Sequence, residues 1–221
     1  MYMFLSHPLV PGGLAWPGEP VVELKQCTDI TETCPFASFV TTLPNHCGTH
    51  MDAPRHFVPG GKNINELGIE YFVHDNVALI DVPKGDAEGI MPEDLMPYTE
   101  LIKGVTCLLI RTGFEKYKET EPERYQMKGP YVHPVTGKWL CANFPNLLVI
   151  GIDFLAIGTP ANNLPPECHR NLLGFYTDKF ICAIEDMHLA DCPAGKLKKF
   201  INAPVRVVGV DSSQVVCIAE V

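Results

Sequence analysis

Three of the chain's eight histidines fall inside NHCGTHMDAPRHF, residues 45–57. His46, His50, Asp52 and His56 stand at even offsets from one another, and all are of types that bind divalent metal. In a strand, even offsets share one face. A straight strand rises about 3.3 Å per residue, however, so His46 and His50 would lie roughly 13 Å apart along it, too far to share an ion. The chain must bend. Gly48 supplies the freedom for a bend. A single helical turn across His46 to His50 would also bring the two imidazoles together at i,i+4, with Asp52 entering from the exit loop. Pro54 stops any regular helix from continuing through Asp52. Either route fits ligation by two histidines and a carboxylate, which zinc or manganese accepts, with positions left for water or substrate.

Such an ion would polarise a carbonyl and acidify a water, and an imidazole such as His56 is suited to carry the proton. That chemistry is hydrolysis. A zincin protease would need H-E-x-x-H, but Cys47 follows His46 and no such motif occurs elsewhere. Cys47 itself reads as packing beside a ligand. A structural zinc site is disfavoured because such sites are usually closed and cysteine-rich. Nine cysteines without a C-x-x-C pair point to reduced core residues in a cytoplasmic protein.

The elements that must position these residues are legible in outline. Ser38 to Thr42, Val77 to Val82, Val105 to Arg111, Leu147 to Ile152 and Val205 to Val210 read as buried strands. Pro92 to Ile102 and Pro193 to Ile201 read as helices, the second ending near a basic cluster. Strands alternating with helices favour a mixed α/β architecture with a covered sheet. At 221 residues one domain, residues 1–221, is the default. Glu115 to Trp139 reads as a long polar surface excursion, of the kind that forms a lid or a subunit contact. The net charge of -9 argues against a nucleic-acid partner. No apolar stretch reaches the roughly 18 residues of a membrane span, and the first residues lack a basic leader, so no membrane association is expected.

The motif also resembles the H-x-G-T-H-x-D-x-P-x-H-F signature of the metal-dependent cyclase-like hydrolases, the family that includes bacterial kynurenine formamidase and isatin hydrolase. LSHPL, WPGEP, GGKNINEL, LLIRTGF, FPNLLVIGIDFLAIG and HRNLL follow the family's landmarks in order. The resemblance implies a three-layer β/β/α fold of the swivelling type, assembled as a homodimer or homotetramer. It implies one or two divalent ions, Zn2+ or Mn2+. His46, His50 and Asp52 would hold the first, and Asp52, His56, His169 and Glu185 the second. His56 and Glu185 are the candidate proton carriers. The interval from His169 to Glu185 is about four residues longer than in kynurenine formamidases, which makes Asp186 a rival to Glu185. The small-molecule substrate would be a formamide such as N-formylkynurenine, with Trp16 as a wall for a flat ring; cyclic amides, lactones or ring closure are the alternatives. A catalytically silent metal-binding or assembly protein is the non-enzyme alternative. His7, His74, His133 and His188 have no companions at ligand spacing and are left out of the site.

Overall fold

The computed structural model describes residues 1–221. Its strands are β1 (Tyr2–Phe4), β2 (Glu23–Thr28), β3 (Ser38–Thr42), β4 (His50–Asp52), β5 (Val73–His74), β6 (Val77–Asp81), β7 (Gly89–Ile90), β8 (Cys107–Arg111), β9 (Tyr131–Val132), β10 (Val149–Ile152), β11 (Cys182–Glu185), β12 (Gly195–Leu197), β13 (Lys199–Pro204) and β14 (Ser212–Glu220). The helices are α1 (Pro92–Leu95), α2 (Thr99–Lys103), α3 (Tyr117–Thr120), α4 (Pro122–Met127), α5 (Pro134–Asn143) and α6 (Pro165–Leu173), with short 3-10 turns between them.

Ten strands form one sheet in the order β12-β6-β8-β10-β11-β4-β14-β13-β5, with β1 on β14. Strands β6, β8, β10 and β11 run parallel. Their apolar runs are buried on both faces, as parallel strands with covered faces require. Ala78, Ile80, Leu108, Ile110, Ile150 and Ile152 point to a core with Leu140 of α5, Phe144 just beyond it and Leu172 of α6. The alternate residues Val77, Leu79, Cys107, Leu109 and Val149 pack instead against Phe200, Val215, Cys217 and Ala219 of β13 and β14. The sheet thus curls over itself on one side and carries helices on the other, which is the expected β/β/α layering. Gly137 of α5 lets the helices close up, since a Cβ there would meet the α6 backbone at 3.3 Å from the Leu172 nitrogen.

Four of the five expected strands are present, at β3, β6, β8 and β10, but β3 is not buried: it pairs only with β2, apart from the large sheet, and exposes Phe39 and Val40. Val205 to Val210 is not a strand. Pairing with β14 ends at Pro204, Gly209 turns at φ 88°, and Val205, Val207 and Val208 are exposed. Pro193 to Ile201 is not a helix but β12 and the start of β13. Gly195 lies at φ 111°, and β12 is an edge strand whose exposed Lys196 is followed by buried Leu197. Lysine on an edge strand deters pairing with another chain, and Lys196 of the basic run read as a helix end serves there. Pro92 to Ile102 is helical in two pieces, with Met96–Tyr98 as a 3-10 turn around Pro97. Glu115 to Trp139 is not an open excursion, because α3, α4, β9 and most of α5 lie in it and Tyr125, Val132 and Thr136 are buried. No helix is long and apolar enough to cross a membrane.

Candidate metal centre

The bend in NHCGTHMDAPRHF comes at Gly48, which adopts φ 62°. His46 precedes it in a turn, and β4 begins at His50, so the helical alternative does not form. Strand β4 is three residues long and inserted antiparallel between β11 and β14. That register places Glu185 directly opposite His50, with Nε2 of His50 3.3 Å from Oε2 of Glu185. Pro54 then starts a 3-10 turn that ends on His56, and α6 supplies His169. Its Nδ1 lies 2.7 Å from the Pro165 carbonyl oxygen, one turn earlier, so Nε2 faces the site.

Asp52 is the centre of the arrangement and is wholly buried. Its Oδ1 faces Nδ1 of His46 at 3.1 Å and Nε2 of His50 at 3.6 Å. Its Oδ2 faces Nε2 of His169 at 3.8 Å and Nε2 of His56 at 3.9 Å. Glu185 spans the same division, because its Oε1 lies 3.5 Å from Nε2 of His169. His46, His50, His56, His169 and Glu185 are thereby brought together around Asp52. Asp186 does not join them. At φ 56° it reverses the chain after β11, and its carboxylate accepts hydrogen bonds from Tyr125 and Lys118, both at 2.6 Å.

The donor set fits a divalent cation. Both oxygens of Asp52 and Nε2 of His50 are buried and have no hydrogen-bond partner, a costly condition that an ion bound there would relieve. Electrostatics point the same way. Burial opposes charge on Glu185, yet His169 and His50 hold its carboxyl below the usual carboxylate range. Burial likewise opposes charge on His46, but Asp211 and Asp52 raise its pKa to about 10. The negative field that favours imidazolium is one that favours a cation.

Asp211 was not foreseen. Its Oδ2 lies 3.0 Å from Nε2 of His46 and 3.1 Å from Nδ1 of His56, while its Oδ1 accepts from Asn45 at 2.6 Å. It follows the exposed valine segment, more than 150 residues beyond the motif, and no local pattern marks it. The site opens into a cavity of about 570 Å³ that Trp16, Phe57, Leu155 and Asn163 line along with His46, His56 and His169. Trp16 therefore stands on the cavity wall beside the histidines. Phe57 stacks on His169 with ring centroids 4.4 Å apart. Cys47 is buried with its thiol on the Pro44 carbonyl at 2.9 Å, and burial pushes its pKa up, which suits packing rather than nucleophilic attack.

The family model described as "Putative cyclase" matches residues 3–159, and the chain belongs to this cyclase family. An uncharacterized protein of Haemophilus influenzae is 54% identical over 129 residues, 58% of this chain and 91% of the relative. A kynurenine formamidase of Maricaulis maris is 30% identical over 211 residues, covering 95% of this chain and 92% of that enzyme. Isatin hydrolase A of Labrenzia aggregata superimposes with a TM-score of 0.80 at 21% identity, covering 99% and 93% of the two chains. That last likeness concerns the fold alone.

Proposed function

We propose that the chain is a metal-dependent hydrolase of non-peptide C–N bonds, acting on a formamide of the N-formylkynurenine type. The observation that carries this reading is Asp52, buried without a hydrogen-bond partner between four imidazoles. His46, His50 and Asp52 would hold one divalent ion, and Asp52, His56, His169 and Glu185 would hold a second where two bind. When bound, zinc or manganese supplies Lewis acidity toward a carbonyl oxygen and makes water a competent nucleophile near neutral pH.

The remaining steps fall to the chain's own groups. Where one ion binds and Nδ1 of His56 donates to Asp211, Nε2 presents its lone pair to the cavity. It takes a proton from the attacking water and returns one to the departing nitrogen. Glu185 accepts the Ile157 N–H at 2.7 Å, which fixes the carboxylate between His50 and His169. Trp16 and Phe57 offer aromatic faces for a flat substrate. Kynurenine formamidases align along most of this chain, which supports a formamide over the cyclic amides and lactones that remain as alternatives.

The test is a metal-supplemented screen of N-formylkynurenine, isatin and simple lactones. Turnover of the formamide is expected, lost on chelation and restored by zinc or manganese. Turnover of isatin alone overturns the substrate, and turnover undiminished by chelator overturns the chemistry.

A further inference from the structure

A second group of metal-ligating side chains, His7, Glu115 and His188, lies outside the site described above. His7 follows β1 and His188 follows β11, and the two segments are fastened side by side. Ser6 forms a β-bridge with Met187, and the His188 N–H donates to the Leu5 carbonyl at 3.0 Å. Glu115, at the turn after β8, reaches the same place. Its Oε2 accepts the N–H groups of Leu189 and Ala190 at 2.9 and 3.0 Å. Its Oε1 is thereby aimed at Nδ1 of His188, in close contact, and at Nε2 of His7, 3.7 Å away. Nε2 of His7 is buried and has no hydrogen-bond partner, a condition it shares with His50 and Asp52 of the main centre. A hydrogen bond between Glu115 and His188 accounts for those two residues and leaves His7 unexplained.

We propose that His7, Glu115 and His188 form a second divalent-cation site of zinc type, separate from the Asp52 centre. Two imidazoles and a carboxylate are a zinc-type donor set, and the three donor atoms lie within 4.8 Å of one another, a spread that one ion spans once the Glu115–His188 contact opens. Burial and the Lys118 ammonium keep His7 a neutral imidazole, the form that ligates a metal, while Asp186, paired with Lys118, and Glu115 supply the opposing negative charge. The ion would clamp the first residues of the chain to the end of β11. The His7 N–H also donates to Thr49, the residue before His50, so the clamp braces the Asp52 centre from behind.

The experiment is zinc stoichiometry on the full chain, stripped with chelator and dialysed against buffered zinc. A variant with His46, His50 and His169 changed to Ala is expected to keep one zinc per chain, and adding His7→Gln with His188→Gln should remove it. In the otherwise unaltered chain, His7→Gln with His188→Gln should lose one zinc relative to wild type. Equal zinc in those two proteins overturns the inference. A second measurement needs no variant: zinc should shift the ring-nitrogen resonances of His7 Nε2 and His188 Nδ1, and unmoved resonances overturn it equally.

Discussion

Asp211 joins two histidines of the motif through one carboxylate oxygen. Such outer partners fix the tautomer and ring angle of a ligand, and losing one typically costs about 10–100-fold in metal affinity or activity. Asp211→Asn should therefore lower kcat by that order while leaving the fold intact. A change in KM alone would refute the positioning role. Glu185, which ends β11, and Asp186, which follows it, separate as cleanly. Glu185→Gln is expected to lower metal content. Asp186→Asn should leave it unchanged and instead reduce stability by about 2 kcal/mol, because Tyr125 and Lys118 lose a buried charged acceptor. Metal analysis beside urea melts checks both. His46, His50, Asp52 and His56 could be read from the sequence because they cluster in one short stretch and are chemically improbable as filler. Asp211 could not, because only the pairing of β14 with β4 brings it near. His7 and His188 were passed over for the same reason, since spacing along the chain says nothing about residues joined by a bridge between distant segments.

At the scale of elements, the hinge at Gly48 decides where His46 points. An alanine there must hold φ near 62° with its Cβ overlapping the Leu9 side chain. Left-handed backbone costs a non-glycine residue about 1–2 kcal/mol, and Leu9 must also move. Gly48→Ala should lose stability of that order in urea melts and bind metal more weakly; unchanged metal affinity would show that the bend is not needed. The buried parallel strands were legible because Val, Ile and Leu fill both faces. Composition misleads where an edge or a surface reverses its usual meaning. Lys196, part of the run that suggested a helix end, guards the edge strand β12, and valines that suggested a strand lie exposed beyond Pro204.

At the scale of the whole molecule, His74 makes stability depend on pH. Burial lowers its pKa from the ordinary 6.5 to about 4, while its Nδ1 meets Thr106 and its ring stacks on Phe200. Between those values the unfolded chain binds more protons than the folded one. Its contribution is complete above 6.5 and is lost as the pH falls through about 4. Between pH 7 and pH 5 that amounts to roughly 2 kcal/mol. Denaturant melts of His74→Gln should show a correspondingly shallower acid loss than wild type; equal slopes would exclude His74 as a source. A homodimer or homotetramer is expected to bury the hairpin of β2 and β3, which exposes Leu24, Phe39 and Val40. Phe39→Glu should reduce the sedimenting mass, and a wild-type monomer would refute assembly.

The three-residue strand β4 takes its partners from β11 and β14, which follow it by more than 100 residues. Contacts of such sequence separation are slow to form. As the chain leaves the ribosome, His46, His50, Asp52 and His56 emerge long before Glu185 and Asp211. The nascent motif is therefore a loose chelator, and the rigid pocket exists only once the last strand has closed on it. In refolding experiments a metal-sensitive dye should report tight capture only in the final kinetic phase, after most of the parallel sheet has formed.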